Sequence, residues 1–180
     1  MGGEHETVLL ARAAAGDARA FADLVTPYRN RVWAVCLRIT ADRDDADDAL
    51  QDALTAAWRN LGGFRAESRF GTWLHRIAAN AALALVRRRR DTPAEDHVLD
   101  RPVEVDAYAA VDEADRIAAA VRLLPDDFRV AFVLREYADL TYEEIAAHQD
   151  IGVQTVKSRL NRARRAVAAA LGVPEAVPPR

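Results

Sequence analysis

Cysteine is nearly absent from this chain, and Cys36 is the only one. A single thiol cannot close an internal disulfide, and there is no cysteine cluster to hold zinc, so a reducing, cytoplasmic setting is expected. Lysine is just as scarce, with Lys157 alone among 25 basic residues. No run of about 18 apolar residues occurs, which excludes direct membrane insertion. Residues 1–12 lack the basic flank and apolar stretch of a secretory signal. The four histidines, His5, His75, His97 and His148, are scattered without metal-ligand spacing. There is neither a glycine-rich phosphate loop nor a nucleophile motif. No metal, no cofactor and no catalytic residue set is therefore expected, and the chain should not be an enzyme.

Few glycines (8), prolines (7) and aromatics (7%) leave a chain of 180 residues that is 51% hydrophobic, mostly alanine, leucine and valine. That mixture favours helices over strands and suffices for one or two small cores. The net charge of −3 argues at first against a nucleic-acid binder. Its distribution says otherwise. Residues 1–90 carry +3, residues 91–114 carry −7 and residues 115–180 carry +1. The acidic segment also contains Pro93 and Pro102 and loses apolar periodicity, the marks of a linker. The expected fold is all-α, with two helical domains joined by an acidic flexible linker. The first domain takes residues 1–90, the linker 91–112, the second domain 113–172 and a proline-rich tail 173–180.

In the first domain a short helix over residues 7–15 ends at Gly16-Asp17, where Asp17 can cap the next helix. That helix, residues 18–40, is expected to kink at Pro27. The clearest periodicity follows over residues 44–61. Ala46, Ala49, Leu50, Ala53, Leu54, Ala57, Trp58 and Leu61 make one apolar stripe. Asp44, Asp48, Gln51 and Asp52 lie opposite, where the plain alternative is a solubilising face. Gly62-Gly63 stops the helix, and a loop over residues 64–69 leads into a helix over 70–90 that ends in four arginines. Such cations are also favourable at any helix C-terminus.

The second domain reads as helices over residues 114–123 and 128–137, then a strong start signal. Thr141 and Glu144 have the spacing of a capping box, with Leu140 and Ile145 placed for a hydrophobic staple. The short helix ends near His148, residues 149–152 turn, and a helix over 153–171 carries Lys157, Arg159, Arg162, Arg164 and Arg165 with no acid among them. Short helix, tight turn and basic second helix make a helix-turn-helix, whose second helix reads the major groove. A solvated basic surface helix is the bland alternative, and the capping box and turn count against it.

These residues resemble the extracytoplasmic-function (group four) sigma factors of the sigma-70 family. Thr141-Tyr142-Glu143-Glu144-Ile145-Ala146, Val153-Gln154-Thr155-Val156-Lys157-Ser158-Arg159-Leu160 and Arg162-Ala163-Arg164 are similar to region four, with Leu124-Pro125 and Arg129 fitting its start. Asp45-Ala46-Asp47-Asp48-Ala49-Leu50-Gln51-Asp52 and the run from Phe64 to Ala78, with Asn80 and Arg87 to Arg90, are similar to region two. The similarity spans about residues 17–171. The chain departs from the family pattern at Asp150-Ile151-Gly152, where Gly-x-Pro is usual, and at Gln154, where glycine is usual. It also has Asp52-Ala53 where Glu-Thr or Glu-Ala is common.

The resemblance implies a dissociable subunit that recruits core RNA polymerase to specific promoters and initiates transcription. Asp44, Asp47, Asp48, Gln51 and Asp52 would bind core polymerase through its β′ clamp, with β as a second contact. Asn60, Phe64, Arg65, Ser68, Arg76, Asn80, Arg87 and Arg88 would bind the −10 element. The loop around Phe64 would take a flipped base, and Trp73 is either part of that stack or of the core. Thr141, Tyr142, Gln154, Thr155, Lys157, Ser158, Asn161, Arg162 and Arg165 would bind the −35 element. The connector bearing Asp96, Asp100, Glu104 and Asp106 would thread the channel later used by RNA. An anti-sigma factor is a further partner the resemblance admits. The competing readings are a stand-alone helix-turn-helix regulator, which leaves the first domain unexplained, and a purely protein-binding pair of helical domains, which leaves the basic helix unexplained.

Overall fold

The computed structural model describes residues 2–66, 68–91 and 113–173, and the connector and tail expected from the sequence lie outside them except for Asp91 and Val173. The described residues are all-α. The elements are α1 (Gly2–Ala14), α2 (Ala18–Val25), a 3-10 turn (Thr26–Tyr28), α3 (Arg29–Thr40), α4 (Arg43–Asn60), a second 3-10 turn (Leu61–Gly63) and α5 (Phe70–Asp91). Then come α6 (Glu113–Arg122), α7 (Asp126–Glu136), α8 (Tyr142–Gln149) and α9 (Val153–Ala170).

Local chemistry accounts for most of the ends. Gly16 takes φ +95°, and the Asp17 carboxylate accepts from the amides of Arg19 and Ala20, both at 3.0 Å. Pro27 breaks the expected long helix rather than kinking it, because it sits in the first turn of the 3-10 segment and α3 restarts at Arg29. Asp42 caps α4 by accepting from the Asp45 amide at 3.0 Å, so α4 begins before Asp44. The expected starts of α1 and α7 are also late; these helices begin at Gly2 and Asp126.

Helices α3, α4 and α5 pack mutually, and α1 and α2 pair beside them. Val32, Val35, Cys36 and Ile39 of α3 meet Ala46, Ala49, Ala53 and Ala57 of α4 and Leu74, Ala78 and Ala82 of α5 in one buried cluster. The alanine faces let the helix axes approach closely. Cys36 is fully buried here, and burial pushes its thiol up to about 12. Gly71 is required for a different reason. A Cβ there would stand 2.5 Å from the Tyr28 ring, whose hydroxyl donates to Glu6 at 2.6 Å. We expect G71A to displace that ring and to cost about 1–3 kcal/mol, an overpacking penalty read in denaturant unfolding.

The second half packs α9 against α6, α7 and α8. The two halves also touch, which the sequence does not foretell. Helix α7 packs on α3 and α5, and α6 packs on α3. The buried Arg129 of α7 donates to the carbonyls of Arg122 (3.0 Å) and Leu124 (3.1 Å) within its own half, and to Ile39 O (2.8 Å) at the end of α3. The Arg31–Asp139 ion pair (2.9 Å) and the Arg38 guanidinium, 3.8 Å above the Tyr137 ring, complete the seam.

Candidate nucleic-acid interface

Periodicity sorts α4 into two faces, and the structure keeps them apart. Ala46, Ala49, Leu50, Ala53 and Ala57 are buried, while Asp44, Asp47, Asp48, Gln51 and Asp52 are all exposed along one side. The Trp33 indole donates to Asp47 at 2.7 Å and holds that carboxylate against α3. Asp52 has only a loose pair with Arg88 at 3.6 Å, both side chains being mostly exposed. Asp45 belongs to the same acidic cluster in sequence but not in space. Its side chain is buried and ion-paired with Arg89 of α5. Burial raises its pKa, the Arg89 charge opposing that shift and the neighbouring Asp42, Asp48 and Asp44 adding to it. Of the four arginines ending α5, Arg89 is thus a brace between helices, and Arg87 and Arg88 are exposed.

The loop after α4 rests on an aromatic floor. Phe64 lies 5.1 Å from Trp73 and 6.0 Å from Phe70, and Phe70 lies 5.7 Å from Trp73 and 5.6 Å from Tyr28, centroid to centroid. Such tilted and edge-on pairs each add about 0.5–1.5 kcal/mol beyond area burial. Phe70 is buried, whereas Phe64 and Trp73 are half-buried, so Trp73 is both a packing residue and a surface one. Phe64, Arg65, Ser68, Trp73 and Arg76 line one wall of a cavity of about 430 Å³. Glu143, Glu144 and Ala147 of α8 form its other wall. Asn60 is not among the lining residues. Its amide turns back to Ala56 O at 2.8 Å. Asn80 is exposed farther along α5.

The helix-turn-helix is built as its sequence suggests. The Glu144 amide donates to Thr141 Oγ1 at 3.1 Å and the Thr141 amide donates to the Glu144 carboxylate at 2.8 Å, closing the capping box. Leu140 and Ile145 are fully buried. Asp150 adopts φ +53° in place of glycine, a conformation aspartate tolerates, and both its amide and that of Ile151 donate to Ala146 O. Val156, Leu160, Ala163 and Val167 of α9 face inward, and Gln154, Thr155, Lys157, Ser158, Asn161, Arg162 and Arg165 are exposed.

Internal partners divide the cations of α9. Arg164 donates to Glu136 at 2.6 and 3.0 Å, and Arg159 donates to Gln149 at 3.1 Å and pairs with Asp127 at 3.3 Å. These two arginines lock α9 onto α7 and α8. The Tyr142 ring has the Arg135 guanidinium at 4.9 Å and the Lys157 ammonium at 5.9 Å. Thr141 uses its hydroxyl in the cap, so its first role is structural. Among the described residues no group of histidine, cysteine and acidic side chains is placed to hold a metal ion. No helix among them is long and apolar enough to cross a membrane.

Two family models match the chain in order: Sigma-70 region 2 over residues 24–92 and Sigma-70, region 4 over residues 114–167. The chain is 37% identical to the RNA polymerase sigma-H factor of Pseudomonas aeruginosa, over 93% of this chain and 94% of that protein. It is 36% identical to the ECF RNA polymerase sigma-E factor of Escherichia coli, over 90% and 92% respectively. Two solved structures are similar at a TM-score of 0.70. One is CnrH in complex with the cytosolic domain of CnrY, at 27% identity over 95% of this chain and 99% of that one. The other is the sigma factor RpoE with the anti-sigma factor NepR from Bartonella quintana, at 26% identity over 88% and 100%.

Proposed function

We propose a division of labour among three surfaces, proceeding from the fact that the chain belongs to the extracytoplasmic-function branch of the sigma-70 family. It is an RNA polymerase sigma factor: it recruits core polymerase to specific promoters and initiates transcription. The carrying observation is that both family regions occur in order in one chain, which a stand-alone helix-turn-helix regulator does not require. The exposed face of α4, with Asp44, Asp47, Asp48, Gln51 and Asp52, docks on a basic surface of core polymerase. The −10 element runs over Phe64, Arg65, Ser68 and Arg76, with Asn60, Asn80, Arg87 and Arg88 at its flanks. The exposed face of α9, with Tyr142 and Thr141 beside it, reads the −35 element.

Physical chemistry supports each assignment. Stacking on an exposed aromatic face is the sequence-tolerant way to hold a single-stranded base, and Phe64 and Trp73 offer it beside two arginines. The first turns of α9 present Gln154, Thr155, Lys157 and Ser158 where base edges would lie, while Arg162 and Arg165 follow at phosphate level. In this reading bond formation is left to the polymerase, in the cytoplasm. The similar sigma factor RpoE is in complex with the anti-sigma factor NepR, and a regulator of that kind is a partner we assign here as well. The test is an N60A/R65A variant in run-off transcription with purified core. We expect retained core binding and at least about tenfold less permanganate reactivity of −10 thymines. Unaltered opening would remove this loop from the −10 assignment.

A further inference from the structure

We propose that α1 sets the geometry of the −10-reading loop, with Glu6 and Tyr28 as positioning residues that hold its aromatic floor in place for the base it takes. The proposal rests on the sigma-factor reading above and deepens it at one site. Helix α1 lies ahead of the region two match, which begins at residue 24, so that match gives it no role. It is docked nonetheless. Leu9 and Ala13 are buried in the core, and Arg12 donates to Asp17 at 2.6 and 3.0 Å across the turn into α2. From there α1 reaches the loop by two routes. It packs on the 3-10 turn Leu61–Gly63, immediately before Phe64, and its Glu6 carboxylate accepts from the Tyr28 hydroxyl at 2.6 Å.

Tyr28 is fixed from several sides. Pro27 sets the backbone ahead of it in the 3-10 turn. Its ring stands edge-on to Phe70, 5.6 Å between centroids at 68°, and lies against Gly71, where a Cβ would come within 2.5 Å of it. Its hydroxyl is tied to α1 by a bond of the short length typical of a hydroxyl donating to a carboxylate. Burial, then Glu6, pushes the phenol up to about 12 against the opposing Arg69 charge, so the donor keeps its proton at neutral pH. From Tyr28 the contacts run outward. Phe70 is buried and supports Phe64 and Trp73, the two half-buried rings offered to a base. A swing of the Tyr28 ring therefore shifts the support under both stacking faces. The acidic face of α4 lies outside this chain of contacts, so the Glu6–Tyr28 bond bears on promoter opening and not on docking to core polymerase.

The test uses holoenzyme assembled from the full chain and purified core, on a duplex promoter that the unaltered holoenzyme opens. E6A removes the acceptor, and Y28F removes the donor while keeping the ring. Each should lower permanganate reactivity of −10 thymines about fivefold, the lower end of what one base-on-aromatic stack contributes. E6A/Y28F should lower it no further than either single change, because both remove the same bond. E6Q, whose amide oxygen still accepts, should fall between E6A and the unaltered chain. Core affinity by fluorescence anisotropy should stay unchanged in all four, since Leu9, Ala13 and the Arg12–Asp17 pair keep α1 docked. Three results would overturn the proposal: opening within about twofold of the unaltered chain in both single variants, a double variant whose loss is the product of the two, or core affinity falling in step with opening, which would make the bond a contact of the fold alone. Absence of promoter-specific transcripts from the unaltered chain is a separate result, which would overturn the sigma-factor reading itself before any variant is compared.

Discussion

Reversing Asp48 and Asp52 together, as D48R/D52R, should abolish recruitment of core polymerase while leaving the fold intact. Both residues are exposed on the same side of α4, one turn apart. Two like charges at that spacing repel, and two arginines repel there as the two aspartates do, so the intrahelical balance changes little. Asp52 contributes only its 3.6 Å pair with Arg88, in which the side chains are 61% and 68% exposed. Pairs so exposed are worth about 0–1 kcal/mol. The apolar face of α4 is untouched. Against core polymerase the balance is different, because close charge pairs desolvated at an interface are worth roughly 1.5–7 kcal/mol and a reversed charge repels its former partner. Affinity should fall at least about 100-fold, on the order of 3 kcal/mol. Fluorescence anisotropy with labelled core reads the loss, and a circular dichroism melt close to that of the unaltered chain shows that folding is not its cause. Undiminished binding would remove α4 from the polymerase interface.

The largest stability effect is expected at Arg129. Its guanidinium donates to three backbone carbonyls, those of Arg122, Leu124 and Ile39, and lies 3.7 Å from the Asp126 carboxylate. R129A would leave those carbonyls without this donor and open a cavity beneath α7. Each buried polar group left unsatisfied costs about 1–3 kcal/mol, so a total of about 3 kcal/mol or more is expected. Region four spans about 60 residues, and at about 0.05–0.15 kcal/mol per residue its whole stability is of the same order. Amide hydrogen exchange across α7, α8 and α9 should therefore accelerate throughout, with −35 binding lost and region two largely protected. R129K should not rescue it, since a point-like ammonium cannot span carbonyls on three sides. Protection as slow as in the unaltered chain would show that this arginine is not the keystone of the domain.

Legibility in the sequence follows the range of the interaction. The capping box of Thr141 and Glu144 spans three residues, so both partners stand in one short motif. The two faces of α4 follow from helical periodicity, and the left-handed turn residue Asp150 from the chemistry of aspartate. Helix starts were harder, because Asp42 acts through a side-chain cap and Pro125 through its fixed backbone, and periodicity records neither. Asp45 shows where pattern misleads. It sits in the same acidic run as Asp47 and Asp48, yet its side chain points inward to Arg89, 44 positions away in the chain. Asn60 is similar in kind, because its amide is spent on Ala56 O, one turn back. The seam between the halves was not legible at all. Arg31 and Asp139 are 108 residues apart, and Arg129 and Ile39 are 90 apart. A charged side chain read alone does not disclose a partner at that distance.

The burial of Cys36 bears on what such a protein can sense. Sulfur reacts with peroxides and disulfides as the thiolate. Burial leaves Cys36 no solvent-exposed surface and pushes its thiol up to about 12, so it stays the thiol behind packed α3 and α5 side chains. Oxidative chemistry therefore has no entry to this chain through its one cysteine. A signal that reaches promoters through this protein therefore does not enter as a covalent mark on this sulfur.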